Sequence, residues 1–151
     1  MADETIFARL KDDHDKHRTL LDLIDKTEGD SEGRRELFGR FKTEVTAHAA
    51  AEEETLYSTM LGDPDLRHEG QHSVAEHKEL DDYLTELEEM DYASTGWLTR
   101  FRTMKDRYLH HIEEEEKEMF VAAAKGLSDD KAEELAETFE KRKPAELERA
   151  S

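Results

Sequence analysis

The chain has 151 residues, of which 41% are charged and 35% hydrophobic, and its formal net charge is −18. This length suits a single domain. No apolar run reaches the roughly 18 residues of a membrane span, and the acidic balance argues against nucleic acid, which is bound by basic patches. Cysteine is absent, which excludes disulfides and thiolate ligands and, with no secretory leader pattern, predicts a cytoplasmic protein.

Two prolines and seven glycines in the whole chain favour long helices. Apolar residues recur at spacings of three and four in four long segments joined by short loops, which predicts an all-α, up-down-up-down four-helix bundle. A shorter fifth helix is predicted to dock on the bundle, and Pro144 is expected to open a frayed tail. The predicted helices cover residues 4–27, 31–60, 67–90, 95–125 and 128–141, with 1–126 forming the bundle and 127–151 the C-terminal helix and tail.

The second and fourth helices each carry a histidine followed four residues later by a glutamate. These pairs are His48 with Glu52, and His111 with Glu115. Side chains four residues apart lie one turn apart on the same helix face. Two such pairs are what a carboxylate-bridged pair of metal ions would need, so this is the strongest functional signal in the sequence.

An internal repeat with an offset of 63 residues places these pairs in a larger pattern. A helical hairpin used twice would bring four histidines and two glutamates around one central point. Such groups within apolar stripes are costly to bury unless they are paired or metal-bound, so the repeat predicts a metal site. Its six members are, in matched order, His14, His48 and Glu52 in the first half and His77, His111 and Glu115 in the second.

Other polar residues near these positions admit more than one interpretation. His17 lies on the first core stripe and is either a fifth histidine ligand, a group hydrogen-bonded to a ligand, or a buried core histidine. Tyr108 lies one turn before the last histidine and either binds the metal as a phenolate, hydrogen-bonds near the site, or packs. Asp13 and Glu76 lie about 100° off the stripes and are predicted to be solvated. The run Glu113–Glu118 is predicted to be a solvated face with one residue pointing inward.

The chain resembles the hemerythrin-like proteins of the HHE cation-binding type. The resemblance covers about residues 6–121 and depends on the order and spacing of four motifs together. It implies a four-helix bundle around a non-haem di-iron site, in which two iron ions are bridged by two carboxylates and by an oxo or hydroxo group. The motifs are DDHDKHRTLL at 12–21, HAAAEEETLY at 48–57, EHKEL at 76–80 and HIEEEEKEMF at 111–120.

Carried over by position, the resemblance assigns the first two histidines of the repeat to one iron and the last two to the other, with Glu52 and Glu115 as bridges. The chain departs from the oxygen-carrying hemerythrins at two points. Those proteins have a further histidine one turn before the position of His77, where this chain has Ser73. Their second bridging carboxylate also lies one residue later, at Glu116; the repeat favours Glu115, and both alternatives stay open.

The missing histidine implies more open coordination, so the expected function is reaction with oxygen species, above all catalase-like peroxide decomposition or defence against oxidative stress. The alternative is reversible binding or sensing of oxygen or nitric oxide, or iron storage, without turnover. The expected partners are small ligands, namely O2, H2O2 and NO, with neither nucleic acid nor membrane. The sequence identifies no protein partner.

Overall fold

The computed structural model describes residues 5–151, and within that range every regular element is helical. The predicted start of the first helix at residue 4 lies outside the described residues. π-helical turns at Glu53–Tyr57 and Glu115–Met119 join α2 to α3 and α5 to α6 without a break, so each pair forms one long rod. The helices are α1 (Ile6–Asp25), α2 (Glu32–Glu52), α3 (Ser58–Leu61), α4 (Arg67–Glu89), α5 (Thr95–Glu114), α6 (Phe120–Gly126) and α7 (Asp129–Ala150).

Hydroxyl side chains set the starts of four helices. Thr5, Ser31, Ser94 and Ser128 each accept a hydrogen bond from a backbone N–H in the first turn of α1, α2, α5 and α7. The loop after α1 contains Gly29 at a φ of 59°, a conformation that glycine adopts without steric cost. The four rods of the bundle are α1, α2 with α3, α4, and α5 with α6. Short loops return each rod antiparallel to the one before, and the predicted up-down-up-down bundle is confirmed. None of the helices in residues 5–151 is long and apolar enough to cross a membrane.

The apolar core consists of two clusters with a polar layer between them. Along α1, Leu10 belongs to one cluster and Leu21 to the other, and the buried His14 and His17 lie between. The other rods repeat this order, so every long rod contributes both apolar and polar groups to the interior. The bundle therefore places its buried histidines and glutamates at a common depth.

The C-terminal helix is longer than predicted, and the expectation of a frayed tail after Pro144 is wrong. α7 runs through this proline to Ala150. Buried side chains anchor it on both sides of the proline, with Phe139 and Lys143 before it and Glu146 after it. α7 packs along α1 and α2, and this tertiary packing maintains the helix despite the backbone hydrogen bond that proline cannot make.

Candidate metal centre

Six buried side chains from all four rods meet in the polar layer, and they are the six members of the 63-residue repeat. Each is 7% exposed or less. They form two groups of three, and within each group one donor atom per residue lies within 4.8 Å of the others. The first group is His14, His48 and Glu52, and the second is His77, His111 and Glu115.

Each carboxylate contacts one histidine from each group. A carboxylate in this position can bridge two metal ions, one held by each pair of histidines. The distances are 3.5 Å from Glu52 Oε1 to His48 Nε2, 3.2 Å from Glu52 Oε1 to His77 Nε2, 3.2 Å from Glu115 Oε1 to His14 Nε2, and 3.3 Å from Glu115 Oε2 to His111 Nε2.

Several donor atoms at this centre are buried and form no hydrogen bond despite these contacts. They include Nε2 of His14 and His48, both carboxylate oxygens of Glu52, and Oε1 of Glu115. A buried polar atom without a partner costs about 1–3 kcal/mol, so the arrangement is unfavourable unless another group pairs with these atoms. Imidazole nitrogens combined with carboxylate oxygens suit transition-metal cations. The donor set therefore fits a metal ion.

The carboxylates also favour positive charge on the neighbouring imidazoles. Burial by itself would lower the pKa of His14, but its contacts with Glu115 and Glu116 outweigh burial and raise the pKa to about 9. Corresponding carboxylate contacts raise the pKa of His77 to about 8 and that of His111 to about 10 against the same effect of burial. The negative charge of the carboxylates therefore favours cations at the centre. In the metal-free chain, protons bound to these histidines supply the positive charge.

Four further acidic residues, here called the outer carboxylates, face the Nδ1 atoms of the four histidines. A carboxylate at Nδ1 fixes the orientation of the ring and directs Nε2 toward the centre. The distances to Nδ1 are 2.8 Å from Asp13 to His48, 2.8 Å from Glu76 to His111, 2.7 Å from Glu116 to His14, and 3.8 Å from Glu53 to His77.

Of the outer carboxylates, the sequence analysis associated only Glu116 with the centre, as an alternative bridge. Asp13 is 1% exposed, so its predicted solvation is wrong, and Glu76 is only partly exposed because it contacts His111. Glu116, next to Glu115, is partly exposed and contacts Nδ1 of His14, so the run Glu113–Glu118 contains a second residue that contributes to the site. The signal that could have found these residues is the same repeat, because 63 residues separate Asp13 from Glu76 and Glu53 from Glu116.

His17 and Tyr108 form a buried pair at the edge of the first group. The Nδ1 atom of His17 lies 2.7 Å from the Tyr108 hydroxyl, and its Nε2 atom is buried without a partner. Its ring centroid is 5.0 Å from that of His48. Burial and the nearby His48 and His14 hold the pKa of His17 well below its usual value. A neutral His17 with a free Nε2 atom can therefore serve as an additional metal ligand beside the first group.

Tyr57 is a further residue that the sequence analysis did not associate with the centre. It is fully buried, its hydroxyl donates a hydrogen bond to Glu115, and the hydroxyl oxygen lies 3.4 Å from His77 Nε2. Regular α-helical spacing from Glu52 predicts that Leu56, four residues later, faces inward. The π-helical turn adds a residue to that turn of the helix, and both Leu56 and Tyr57 are buried as a result.

A surface pocket of about 260 Å³ reaches the second group. Its lining includes His111 and Glu115 of the centre, together with Ser73 and Met119. The Ser73 hydroxyl donates a hydrogen bond of 2.9 Å to the Met119 sulfur, so the position of the missing histidine is occupied by a small side chain directed at a neighbour. The pocket offers a path for small molecules to the edge of the centre.

Fold and site together define a helical bundle with a buried centre of histidines and carboxylates. The chain belongs to the hemerythrin HHE cation-binding domain family, whose profile matches residues 5–123, and it is accordingly a metal-binding protein. This confirms the resemblance seen in the four sequence motifs.

Two known proteins are similar to this chain. A protein of Nostoc sp. (strain PCC 7120 / SAG 25.82 / UTEX 2576) named DNA nickase is 28% identical over 130 residues, which cover 84% of this chain and 36% of that protein. The chain thus spans about a third of the length of this curated relative. A crystal structure of a hemerythrin HHE cation-binding domain-containing protein from Mycobacterium kansasii is 24% identical, covers 99% of this chain and 90% of its own, and gives a TM-score of 0.84. It has the same fold.

Proposed function

We propose that this chain is a non-haem di-iron protein that decomposes hydrogen peroxide in a catalase-like reaction. The observation that carries the proposal is the position of the two buried carboxylates. Glu52 and Glu115 each contact a histidine of both groups, which favours two ions sharing these carboxylates over one isolated ion. Imidazole and carboxylate donors suit iron.

In this proposal each residue of the centre has a defined role. The first pair of histidines would hold one iron and the second pair the other, with Glu52 and Glu115 as bridges. Bound in this way, an iron pair supplies a two-electron redox centre and a Lewis acid. The outer carboxylates keep the four imidazoles in the orientation that presents Nε2 to the centre. Tyr57 directs its hydroxyl hydrogen to Glu115 and so fixes the orientation of that carboxylate.

Access to the second group supports a small molecule, peroxide included, as the substrate. The pocket lined by Ser73, His111 and Glu115 admits a molecule of the size of H2O2, O2 or NO, and Ser73 leaves space that a histidine would fill. The two apolar clusters above and below the polar layer exclude bulk water from the remainder of the centre. Small oxygen species are therefore the proposed partners.

A nucleic-acid partner is not part of this proposal. The name of the Nostoc relative refers to DNA, but the similarity covers 36% of that protein. The present chain has a formal net charge of −18, and phosphate backbones are bound by clusters of lysine and arginine. Its charge instead suits attraction of cations.

Iron content and oxygen release together test the proposal. Purified protein is loaded anaerobically with Fe(II), desalted and analysed for iron, and O2 release is then followed after addition of H2O2. We expect about two irons per chain and steady O2 release in the wild type, both largely lost in Glu52→Ala and both retained in His110→Ala, an exposed histidine outside the centre.

Other outcomes separate the alternatives. Two irons without turnover, together with an oxygenated spectrum that reverses under vacuum, would replace the proposed peroxide activity with reversible oxygen binding. Two irons with neither property would favour iron storage. No iron after anaerobic loading would refute the di-iron centre itself.

A further inference from the structure

The outer carboxylates of the two groups differ in their charge partners. In the first group, Asp13 contacts the ammonium of Lys143 at 2.8 Å and the guanidinium of Arg9 at 2.6 Å, and Glu116 contacts Arg18 at 3.0 Å. In the second group, the corresponding residues are Glu76 and Glu53, and neither forms an ion pair with a lysine or arginine of residues 5–151. The ligands therefore follow the 63-residue repeat, but the lysine and arginine partners of the outer carboxylates do not.

Lys143 is the most buried of these cations. It is 6% exposed, it lies on α7 beyond the family-matched residues 5–123, and its Nζ atom is 5.8 Å from the ring centroid of Phe139. A buried ammonium is unfavourable unless it is paired. Its close partner is Asp13, with Glu44 at 3.6 Å. The C-terminal helix thus inserts a positive charge next to the polar layer.

One oxygen connects this charge to the centre. Oδ2 of Asp13 accepts from Lys143 Nζ at 2.8 Å and lies 2.8 Å from His48 Nδ1. When a carboxylate oxygen also accepts from an ammonium, its interaction with the imidazole N–H is weaker. The imidazole of His48 is then a weaker donor through Nε2 than it would be beside a free carboxylate.

We propose that Lys143 is a positioning residue of the metal centre, which acts through Asp13 and His48 to weaken cation binding at the position of the first group and leaves the second group unaffected. The inference rests on the proposed two-ion centre and adds to it a role for the C-terminal helix. Among residues 5–151, the second group has no counterpart of this lysine. The two positions therefore differ in charge environment although their ligands match.

Replacing Lys143 by an uncharged residue should tighten cation binding at one position. Asp13 retains Arg9 and His48 as partners, so its place is kept while the opposing charge is removed. With an effective dielectric constant of about 20, the loss of one nearby positive charge should strengthen binding about tenfold. Asp13→Asn should act in the opposite direction and weaken binding by about 10- to 100-fold, since His48 then loses its anionic acceptor.

The test is an anaerobic titration of the full-length metal-free protein with Co(II), followed by visible absorption and by competition with a chelator. Wild type, Lys143→Met, Lys143→Arg and Asp13→Asn are compared. Lys141→Met is the matched control because Lys141 lies on the same helix and is exposed. Lys143→Gln serves if the methionine variant does not fold.

We expect Lys143→Met to tighten one of the two Co(II) steps about tenfold, Lys143→Arg to keep wild-type affinity, and Lys141→Met to change neither step. If the wild type binds both Co(II) ions with the same affinity, Lys143→Met should give two binding steps of different affinity. Weaker binding in Lys143→Met, or an equal change in both steps, would overturn the inference and indicate a purely structural lysine. Fewer than two Co(II) bound by the wild type would instead refute the two-ion centre, and the inference with it.

Discussion

Glu115 and Glu116 are neighbours in the sequence but occupy different environments. Glu115 is fully buried and contacts a histidine from each group, whereas Glu116 contacts His14 Nδ1 and Arg18 at the edge of the bundle. We expect Glu115→Ala to lose most bound metal because two positions lose a shared ligand. Glu116→Ala should keep two ions and lose about tenfold in affinity, the usual effect of removing a group that orients a ligand.

Metal per chain after dialysis against a weak chelator measures this difference, and the exposed His110→Ala is the control. Loss of metal in Glu116→Ala together with retention in Glu115→Ala would transfer the bridging role to Glu116. Equal loss in all three variants would show that the assignment of the centre is wrong.

The six members of the repeat could be predicted from the sequence, since one-turn spacing links four of them and the repeat supplies the two remaining histidines. His48 and Glu52 have one-turn spacing, and the 63-residue repeat supplies the same pair again. Asp13 and Glu116 also belong to the repeat, but no second signal marks them as buried. They lie off the apolar stripes, where a carboxylate is ordinarily solvated, and only the fold shows that Lys143 from a distant helix covers Asp13.

Among the helices, the four long rods followed from apolar periodicity, but the π-helical turns did not. A periodic pattern assumes 3.6 residues per turn, and a single added residue after Glu52 changes which side chains face inward. The length of α7 was not predicted either, because in the local sequence Pro144 indicates the end of a helix. The burial of Lys143 and Glu146 on either side of it is a tertiary effect that local sequence does not contain.

Pro144→Ala should stabilise the protein. The substitution restores a backbone N–H within α7 and removes the steric penalty of an interior proline. Part of this gain is offset because the unfolded chain becomes more flexible, so we expect the free energy of unfolding to rise by about 1–2 kcal/mol. Urea denaturation followed by circular dichroism measures it.

Ala145→Gly is the matched comparison, since Ala145 is exposed on the same turn and glycine should lower stability by about 1 kcal/mol. Unchanged stability in both variants would mean that the end of α7 is not part of the cooperative fold.

Asp25 links α1 to α5 through Lys105 at 2.9 Å and Arg102 at 2.7 Å. The hydrogen bond from Lys105, followed by that from Arg102, holds the pKa of Asp25 below its usual value. The ion pairs therefore stabilise the fold above the unfolded-state pKa of about 4, and this contribution is lost as pH falls through the folded-state pKa.

Asp25→Asn should lower the free energy of unfolding by about 0.5 kcal/mol at neutral pH, because the site is partly exposed. The difference from wild type should vanish in strong acid, as measured by denaturation from pH 7 to pH 2. Asp106→Asn is the control, since Asp106 is exposed on α5. A difference that does not depend on pH would show that Asp25 acts through packing.

For the molecule as a whole, metal removal should lower the melting temperature. The unpartnered atoms of the centre, among them both oxygens of Glu52, lose their cation when the metal is chelated. With free metal at about 1,000 times its dissociation constant, binding contributes about 4 kcal/mol to the stability of the folded state. Calorimetry of loaded and chelated protein measures the shift, and Glu52→Ala should melt at the same temperature with and without metal.

The polar layer divides the interior into two hydrophobic regions that share no buried residue. With a cation in the layer, the two regions are joined by bonds through the ligands. Without one, the regions are joined only by contacts among the histidines and carboxylates, and each half of the bundle can open to solvent by itself. Amide hydrogen exchange in the metal-free protein should then show two protection levels, one for each end of the rods, and the loaded protein a single one.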